Sequence, residues 1–450
     1  MFTARIEHDL RPGTTIRNTS RYGVLKERFD LTSTNILATA SATSLPGLVL
    51  VNPTDPDTWT VQRNRQGKDQ RNEILTNQTN LTSDFATGDV RHSLSTGVEF
   101  IYEKQSNATF GPAQSRANLY NPSTSDAFPN VVHTGENTKG ETTTAAAYAF
   151  DTLKFGERWI LNGGVRLDHY RTETVITSAT APASNLAKDD NAWTWKLGAL
   201  YKPAPNGSVY LAWATQEKPP GSDNFALNAG VPNATTGAVN INTPNLDPTK
   251  ATNIELGTKW DVLEQRMALT GAIFHTVVKN DLAQRDAVTG EVTQYGEKKV
   301  QGVELGAVGA LTPAWQLSAG LVYLDTEVTD GQVNTTQTGA SINWSPKWMF
   351  TAWTTYRLPG NVTLGGGTRY VDTQARQINS APTATTPMTE IPSYWVFDAM
   401  AAYDVTRNVQ IQLNIYNLFD KFYLASLNNG GSRYTLGTPR SALLSANFKF

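Results

Sequence analysis

The chain has 450 residues, no cysteine, a formal net charge of -2 and a mean hydropathy of -0.37. No stretch approaches the roughly 18 uninterrupted apolar residues of a membrane helix, so a helical membrane protein is excluded; the charge gives no electrostatic case for nucleic acid. Thiol nucleophiles, thiolate metal sites and disulfides are excluded too, and the five histidines, at positions 8, 92, 133, 169 and 275, lack metal-ligand spacing.

In chain order, the start Met1-Phe2-Thr3-Ala4-Arg5-Ile6-Glu7 lacks the basic and then apolar regions of a secretory signal. Residues 3–10 form the first strand window and run into a short turn at 11–13. Further short turns fall at 155–157, 203–207, 263–265, 312–314, 358–360 and 405–407, several built on Gly, Pro or Asn. Between them lie long segments rich in Asn, Thr, Ser, Pro and Gly: 24–68, 105–138, 175–189, 217–248, 281–290, 329–339, 372–391 and 420–433. Within the remaining windows apolar and polar residues alternate, as at 159–169, 193–197, 315–321 and 409–415. In the last of these, Val409, Ile411, Leu413 and Ile415 would face lipid, and Gln410, Gln412 and Asn414 the lumen.

A soluble sandwich also alternates. Three features favour a membrane barrel. The windows are on the order of ten residues, long enough for a tilted span. Many begin or end in an aromatic, as at Trp159, Tyr201, Trp213, Trp315, Tyr323, Trp344, Tyr356, Tyr370 and Phe450, as two aromatic girdles would require. Connections alternate short and long, as between periplasmic turns and extracellular loops. The fold class is therefore all-β: a transmembrane antiparallel β-barrel with about 17 strands present. That count is odd and the first strand descends, whereas single-chain bacterial barrels close with an even number. Strands are expected to be missing at the front.

No catalytic constellation emerges, and the chain is not read as an enzyme. Gly365-Gly366-Gly367 lacks a phosphate-loop lysine and reads as a small-residue wall. Asp189-Asp190 and Asp168-His169 read as solvated loop and barrel-wall groups. No metal or cofactor is implied.

The C-terminal stretch carries a specific pattern. Asn414-Ile415-Tyr416-Asn417-Leu418-Phe419-Asp420-Lys421-Phe422-Tyr423 resembles the penultimate-strand motif of TonB-dependent receptors, Asn-x-x-Asn-Leu-Phe-Asp-Lys-x-Tyr. Gly437-Thr438-Pro439-Arg440 and the ending Asn447-Phe448-Lys449-Phe450 resemble their closing strand, whose terminal aromatic serves as assembly signal. Upstream, Asn245-Leu246-Asp247-Pro248 with Asn253-Ile254-Glu255-Leu256-Gly257-Thr258-Lys259 is similar to the family's Leu-x-Pro-Glu and Glu-x-Gly-x-Lys strand, with Thr249 where Glu is usual. Gly302-Val303-Glu304-Leu305 resembles its Gly-x-Glu strand. Lys218-Pro219-Pro220-Gly221-Ser222 and the Thr-Thr-Ile-Arg-Asn run at 14–18 resemble siderophore receptors, nearest to the ferric catecholate group.

The resemblance covers essentially the whole chain. It implies a barrel of roughly 22 strands around an N-terminal plug, with a TonB box ahead of the plug. Neither plug nor box is recognisable, so residues 1–450 are expected to be one barrel domain, truncated at its N-terminus. The implied function is uptake of iron–siderophore complexes across the outer membrane. The partners would be a ferric siderophore, the TonB complex through the missing N-terminal part, outer-membrane lipid and the barrel-assembly machinery, with no nucleic acid.

Ligand contact would come from the extracellular loops and upper lumen, where arginine and aromatic side chains suit a large anionic aromatic ligand. Tyr102, Tyr120, Phe225, Arg285, Arg369, Arg376 and Arg433 are the candidates. Competing readings are a passive porin, a receptor for another large scarce nutrient (cobalamin, haem or oligosaccharide) and a barrel phospholipase. The C-terminal motifs argue against the porin. The phospholipase needs a Ser–His pair in the wall, and no histidine has a plausible partner in sequence.

Overall fold

The computed structural model describes residues 1–34, 45–111, 113–178, 180, 182–222, 225–234, 237–285, 291–331, 337–376, 388–427 and 434–449. Strand-period alternation becomes one antiparallel sheet of 20 strands, and the described residues include no α-helix. Seventeen strands form the wall in chain order. They are β1 (Phe2–Arg11), β2 (Thr14–Thr34), β3 (Thr60–Thr87), β4 (Val90–Phe110), β5 (His133–Phe155), β6 (Trp159–Thr177), β7 (Ser184–Ala204), β8 (Gly207–Lys218) and β9 (Thr249–Val262). After them come β10 (Met267–Arg285), β11 (Val292–Thr312), β12 (Trp315–Asp330), β13 (Trp348–Arg357), β14 (Val362–Val371), β15 (Tyr394–Asp404), β16 (Val409–Tyr416) and β17 (Ser441–Phe448). The other three segments of the sheet, Leu48–Val49, Ala113–Asn118 and Ala238–Val239, belong to loops and pair with β3 or β10. The sheet is open: among the described residues β1 pairs with β2 alone and β17 with β16 alone.

One end of the wall carries tight turns of two to four residues, the other connections of six to thirty. The tight turns include Gly88-Asp89, which the sequence pattern does not mark because Thr87 and Val90 continue the alternation around it; Gly88 supplies the left-handed φ of 61° that the turn needs. Several long segments prove shorter than their composition suggests. β2 stays paired with β3 out to Thr34 and Arg63, inside the expected 24–68 loop, and Asp189-Asp190 lies on β7 rather than in a loop. Above the membrane both faces of a strand are wet, so the ladder continues after the alternation has stopped. Trp344 sits in the loop before β13, and Trp348 starts that strand.

Two aromatic rungs mark the bilayer. On β6 and β7 the Trp159 and Tyr201 rings pack tilted at 4.5 Å between ring centres, and Trp193 lies eight residues from Tyr201 along β7. On β12 and β13 Trp315–Tyr356 and Tyr323–Trp348 have the same eight-residue spacing. On β15 it separates Tyr403 from Trp395, which packs on Tyr370 of β14. Eight residues rise about 26 Å along a strand, or about 20 Å of height at the usual barrel tilt, matching the apolar band of an outer-membrane wall.

Outward residues between the rungs are apolar and exposed, as in the ridge Leu211, Leu256, Ile273 and Val303 across β8–β11. Water would penalise such a surface; hydrocarbon does not. Just above the upper rung the outward side chains turn polar: His169 bonds Asn191 at 3.1 Å, and Gln301 bonds Asp325 at 2.8 Å. Ile411 and Leu413 of β16 are exposed outward. On the opposite face Gln410 donates to Asp404 and Gln412 to Asn414. Lumenal Gly367 leaves room for the Trp353 ring, which a methyl group there would overlap.

The outward face is not uniformly apolar. On β2 and β3, Asn18, Ser20, Asn77 and Thr79 form a closed network, with Asn18 and Asn77 exchanging amide bonds at 3.1 Å and reaching Thr79 and Ser20 at 2.8 Å. Each amide donor has a partner within the cluster, which lets it face lipid.

Candidate functional site

Two cavities lie on the lumenal side near the extracellular end. The first, about 410 Å³, is lined by Met388, Pro392, Tyr394, Lys421, Phe422, Tyr423 and Tyr434. The C-terminal motif builds it. Asn417, 2% exposed, turns the chain out of β16 with φ 51°, a conformation asparagine tolerates. Its backbone N–H donates to the Asp398 carboxylate at 2.7 Å. Its side-chain amide donates to the carbonyls of Lys421 (2.9 Å) and Thr438 (3.0 Å), and its oxygen accepts from the Lys421 N–H at 2.8 Å. The Asp420 carboxylate accepts from the Arg440 N–H at 2.8 Å.

This knot presents Tyr423, whose ring lies 4.4 Å from that of Tyr394. Gly437 is required there, because a Cβ would run into the Tyr423 ring. Arg369, on the lumenal phase of β14, donates to the Tyr423 hydroxyl at 3.3 Å. Two cations and a group of tyrosines therefore converge on one space, which suits an anionic aromatic guest by charge and stacking.

The second cavity, about 300 Å³, lies under the loop that follows β8. Its walls include Glu103, Arg166, Asp168, Tyr170, Thr194, Glu217, Ser222 and Phe225. The loop is clamped to β5 and β6. Thr174, fully buried, donates to the Phe225 carbonyl at 3.3 Å and accepts from the Leu227 N–H at 2.8 Å. Gly140 lets that carbonyl approach; any side chain there would collide with it.

Arg166 is committed to Asp168 at 2.7 Å and Glu99 at 2.9 Å. Glu217 pairs with Lys250 at 3.1 Å. Among the described residues Glu103 has no such ion-pair partner. It lies five residues beyond Val98, which stands level with the upper rung in register, and burial pushes its carboxyl up. The Tyr170 hydroxyl, above the same rung and in a residue 3% exposed, has no hydrogen-bond partner among the described residues. Burial, then the nearby carboxylates of Asp190 and Glu217, push its phenol up.

The sequence candidates scatter. Phe225 roofs the second cavity and Arg369 joins the first. Arg376 is buried in a loop, where its guanidinium donates to the Met388 carbonyl at 3.2 Å. Arg285 is exposed at the end of β10. Tyr120 is exposed near Trp59, at 6.2 Å. Tyr102 shares the outward phase of Phe100 and bonds Glu141 at 3.1 Å, so it does not face the lumen. Arg433 and Phe450 lie outside the described residues. Sequence reasoning missed Glu103, Arg166, Tyr170 and Glu217 as cavity residues. The alternation Arg166-x-Asp168-x-Tyr170-x-Thr172-x-Thr174 on one strand face was the available signal.

Comparison with known proteins agrees with this wall. The model of the TonB dependent receptor-like β-barrel family matches residues 1–418. The catecholate siderophore receptor Fiu of Escherichia coli K12 is 40% identical over 469 aligned residues, covering 100% of this chain and 59% of that receptor. The probable TonB-dependent siderophore receptor PiuA of Acinetobacter baumannii is 31% identical, with 100% and 60% covered. The crystal structure of the ferric-catecholate import receptor Fiu from E. coli K12, closed form, superposes with a TM-score of 0.88 at 36% identity, covering 100% of this chain and 63% of that one. The chain thus spans about three-fifths of the length of these relatives. A wall with two aromatic rungs, an apolar outer face, a polar lumen and sorted loops is what such a match requires, and this chain belongs to the TonB-dependent receptor β-barrel family of the outer membrane.

Proposed function

We propose that residues 1–450 are a barrel domain of a receptor that takes up iron–siderophore complexes, with TonB energising transport in the whole receptor. The observation that carries this is the first lumenal cavity, where Arg369 and Lys421 stand beside Tyr394, Tyr423 and Tyr434. A ferric catecholate is large, aromatic and anionic, and this pocket matches it in charge and in ring stacking. The similarity to the siderophore receptors Fiu and PiuA supports the same reading.

The test is quenching of tryptophan fluorescence by ferric tris(2,3-dihydroxybenzoate), titrated into the full chain folded in detergent micelles. Saturable quenching is expected, weakened at least tenfold in the Arg369→Ala, Lys421→Ala double variant, with heat-modifiable gel migration checking that the variant is folded. Absence of saturable quenching in the unaltered chain, or equal affinity in the folded variant, overturns the reading.

A further inference from the structure

We propose that the outward face of β2–β6 binds a diphosphorylated, acylated lipid of the outer leaflet, its phosphates on a row of cations and an acyl chain in the groove below them. The site belongs to the outer-membrane wall and is independent of the siderophore reading.

Register places the cations. Tyr22, Leu75 and Tyr102 are neighbours across β2, β3 and β4 on the outward face, and above them that face turns charged. Four residues further up comes the row Lys26, Arg71, Ser106 and Lys139, on β2 to β5. Four residues rise about 13 Å along a strand, or about 10 Å of height at the usual barrel tilt. The row therefore stands at the top of the polar headgroup layer, roughly 5–8 Å deep, into which lysine and arginine side chains reach down.

Like charges directly opposite on one face of a sheet repel, yet Lys26 faces Arg71. Local carboxylates do not cancel the row. Glu73 holds Arg71 at 2.7 Å, Glu141 holds Lys104 two residues below the row, and Asp69, opposite Arg28, lies 3.7 Å from His133. Among the described residues Lys26, Arg28 and Lys139 form no ion pair, and all three are exposed. Phosphate oxygens turn this repulsion into charge-assisted bonds. The row spans three strand spacings, about 14 Å, which is too long for one phosphate and suits two on a carbohydrate headgroup.

The groove is a separate observation. Ala145, Ala147 and Ala149 of β5 face outward and keep the surface low between Val98 of β4 and Leu167 of β6. Two open hollows there, of about 370 and 530 Å³, share Val98, Ala147 and Leu167 and so form one groove down β5. Its upper end, at Ala145, lies six residues below Lys139 on the same strand. Elsewhere the same band is a ridge of large side chains, as at Leu211, Leu256 and Ile273. A mostly apolar groove running up to a row of cations fits a lipid that carries both an acyl chain and phosphate.

The probe is diphosphorylated lipid A, titrated into the full chain in detergent micelles and read by native mass spectrometry. Saturable binding is expected, at least tenfold weaker in the Lys26→Gln, Lys139→Gln double variant, since each lysine near an anionic lipid surface contributes several-fold in affinity. Neither lysine holds a structural bond, and heat-modifiable migration checks that the variant is folded. Lipid A stripped of both phosphates should bind at least tenfold more weakly than the parent lipid. Ala147→Trp, which fills the groove, should weaken binding at least threefold, and excess inorganic phosphate should not displace the lipid. Equal affinity in the folded lysine variant, or equal binding of the phosphate-free lipid, overturns the proposal. Equal affinity in folded Ala147→Trp, or displacement by inorganic phosphate, would leave a bare anion patch and overturns the lipid site.

Discussion

The two lumenal cavities sit at the same end of one wall, yet their polar groups are in opposite states. Under the first, the chain is tied off: Asn417 uses its backbone N–H, its amide and its oxygen, and Asp420 takes the Arg440 N–H. Beside the second, the Tyr170 hydroxyl is buried without a hydrogen-bond partner among the described residues. Groups that hold the fold are satisfied within the chain, whereas an unpartnered buried group lends the fold no bond. The contrast can be broken or sharpened one residue at a time.

The largest effect is expected at Asn417. Asn417→Ala removes three side-chain hydrogen bonds from a residue 2% exposed and strands a Lys421 N–H and two carbonyls. At typical costs for unpaired buried groups this should destabilise the folded barrel by about 4 kcal/mol. Urea unfolding followed by heat-modifiable migration would measure it. A loss under about 1 kcal/mol would mean that the knot is decorative.

Next comes the lipid face of the adjoining strand. Leu413→Arg places a cation toward hydrocarbon and should cost about 2–4 kcal/mol near mid-membrane, whereas Gln412→Arg, on the wet face, should cost far less. Equal losses would mean that neither face of this strand is in hydrocarbon, and a larger loss at Gln412 would reverse the assignment of the two faces.

The wall was readable where lipid enforces strict alternation, and β16 is the plainest case, with Val409 to Ile415 divided between aliphatic and amide. It was unreadable where lipid does not reach. The extension of β2 to Thr34 carries charge on both faces, and the Asn18–Asn77 network puts amides on the outer face because they satisfy one another. The first cavity was half visible. The motif named Asn417, Lys421 and Tyr423, but only the fold brings Arg369 of β14 to them. The second cavity was visible at Phe225 alone. Glu103, Tyr170 and Glu217 come from three strands, and which carboxylates remain unpaired is decided by neighbours that no local pattern encodes. Arg376 shows the same dependence on neighbours: a loop arginine suits an anion, and this one is buried and donates to the Met388 carbonyl.

A smaller effect is expected at the clamp. Gly140→Val forces a side chain into the Phe225 carbonyl, so the loop must lift. Overpacking of this kind costs about 1–3 kcal/mol. Because the loop lies above the membrane, the cost should appear as faster protease cleavage within 219–248 rather than as loss of barrel. Unchanged cleavage would show that the roof is held by the Thr174 bonds alone.

The smallest effect is expected at Tyr170, and its smallness is the point. The hydroxyl is buried without a partner among the described residues, so Tyr170→Phe deletes a desolvated group and no bond. Where a lost hydroxyl had a partner, the change would typically cost about 1 kcal/mol; here stability in urea at pH 7 should stay level or rise by a few tenths. A variant that loses more than about 1 kcal/mol would mean that the hydroxyl is already bonded in solution, and the difference between the two cavities would then disappear.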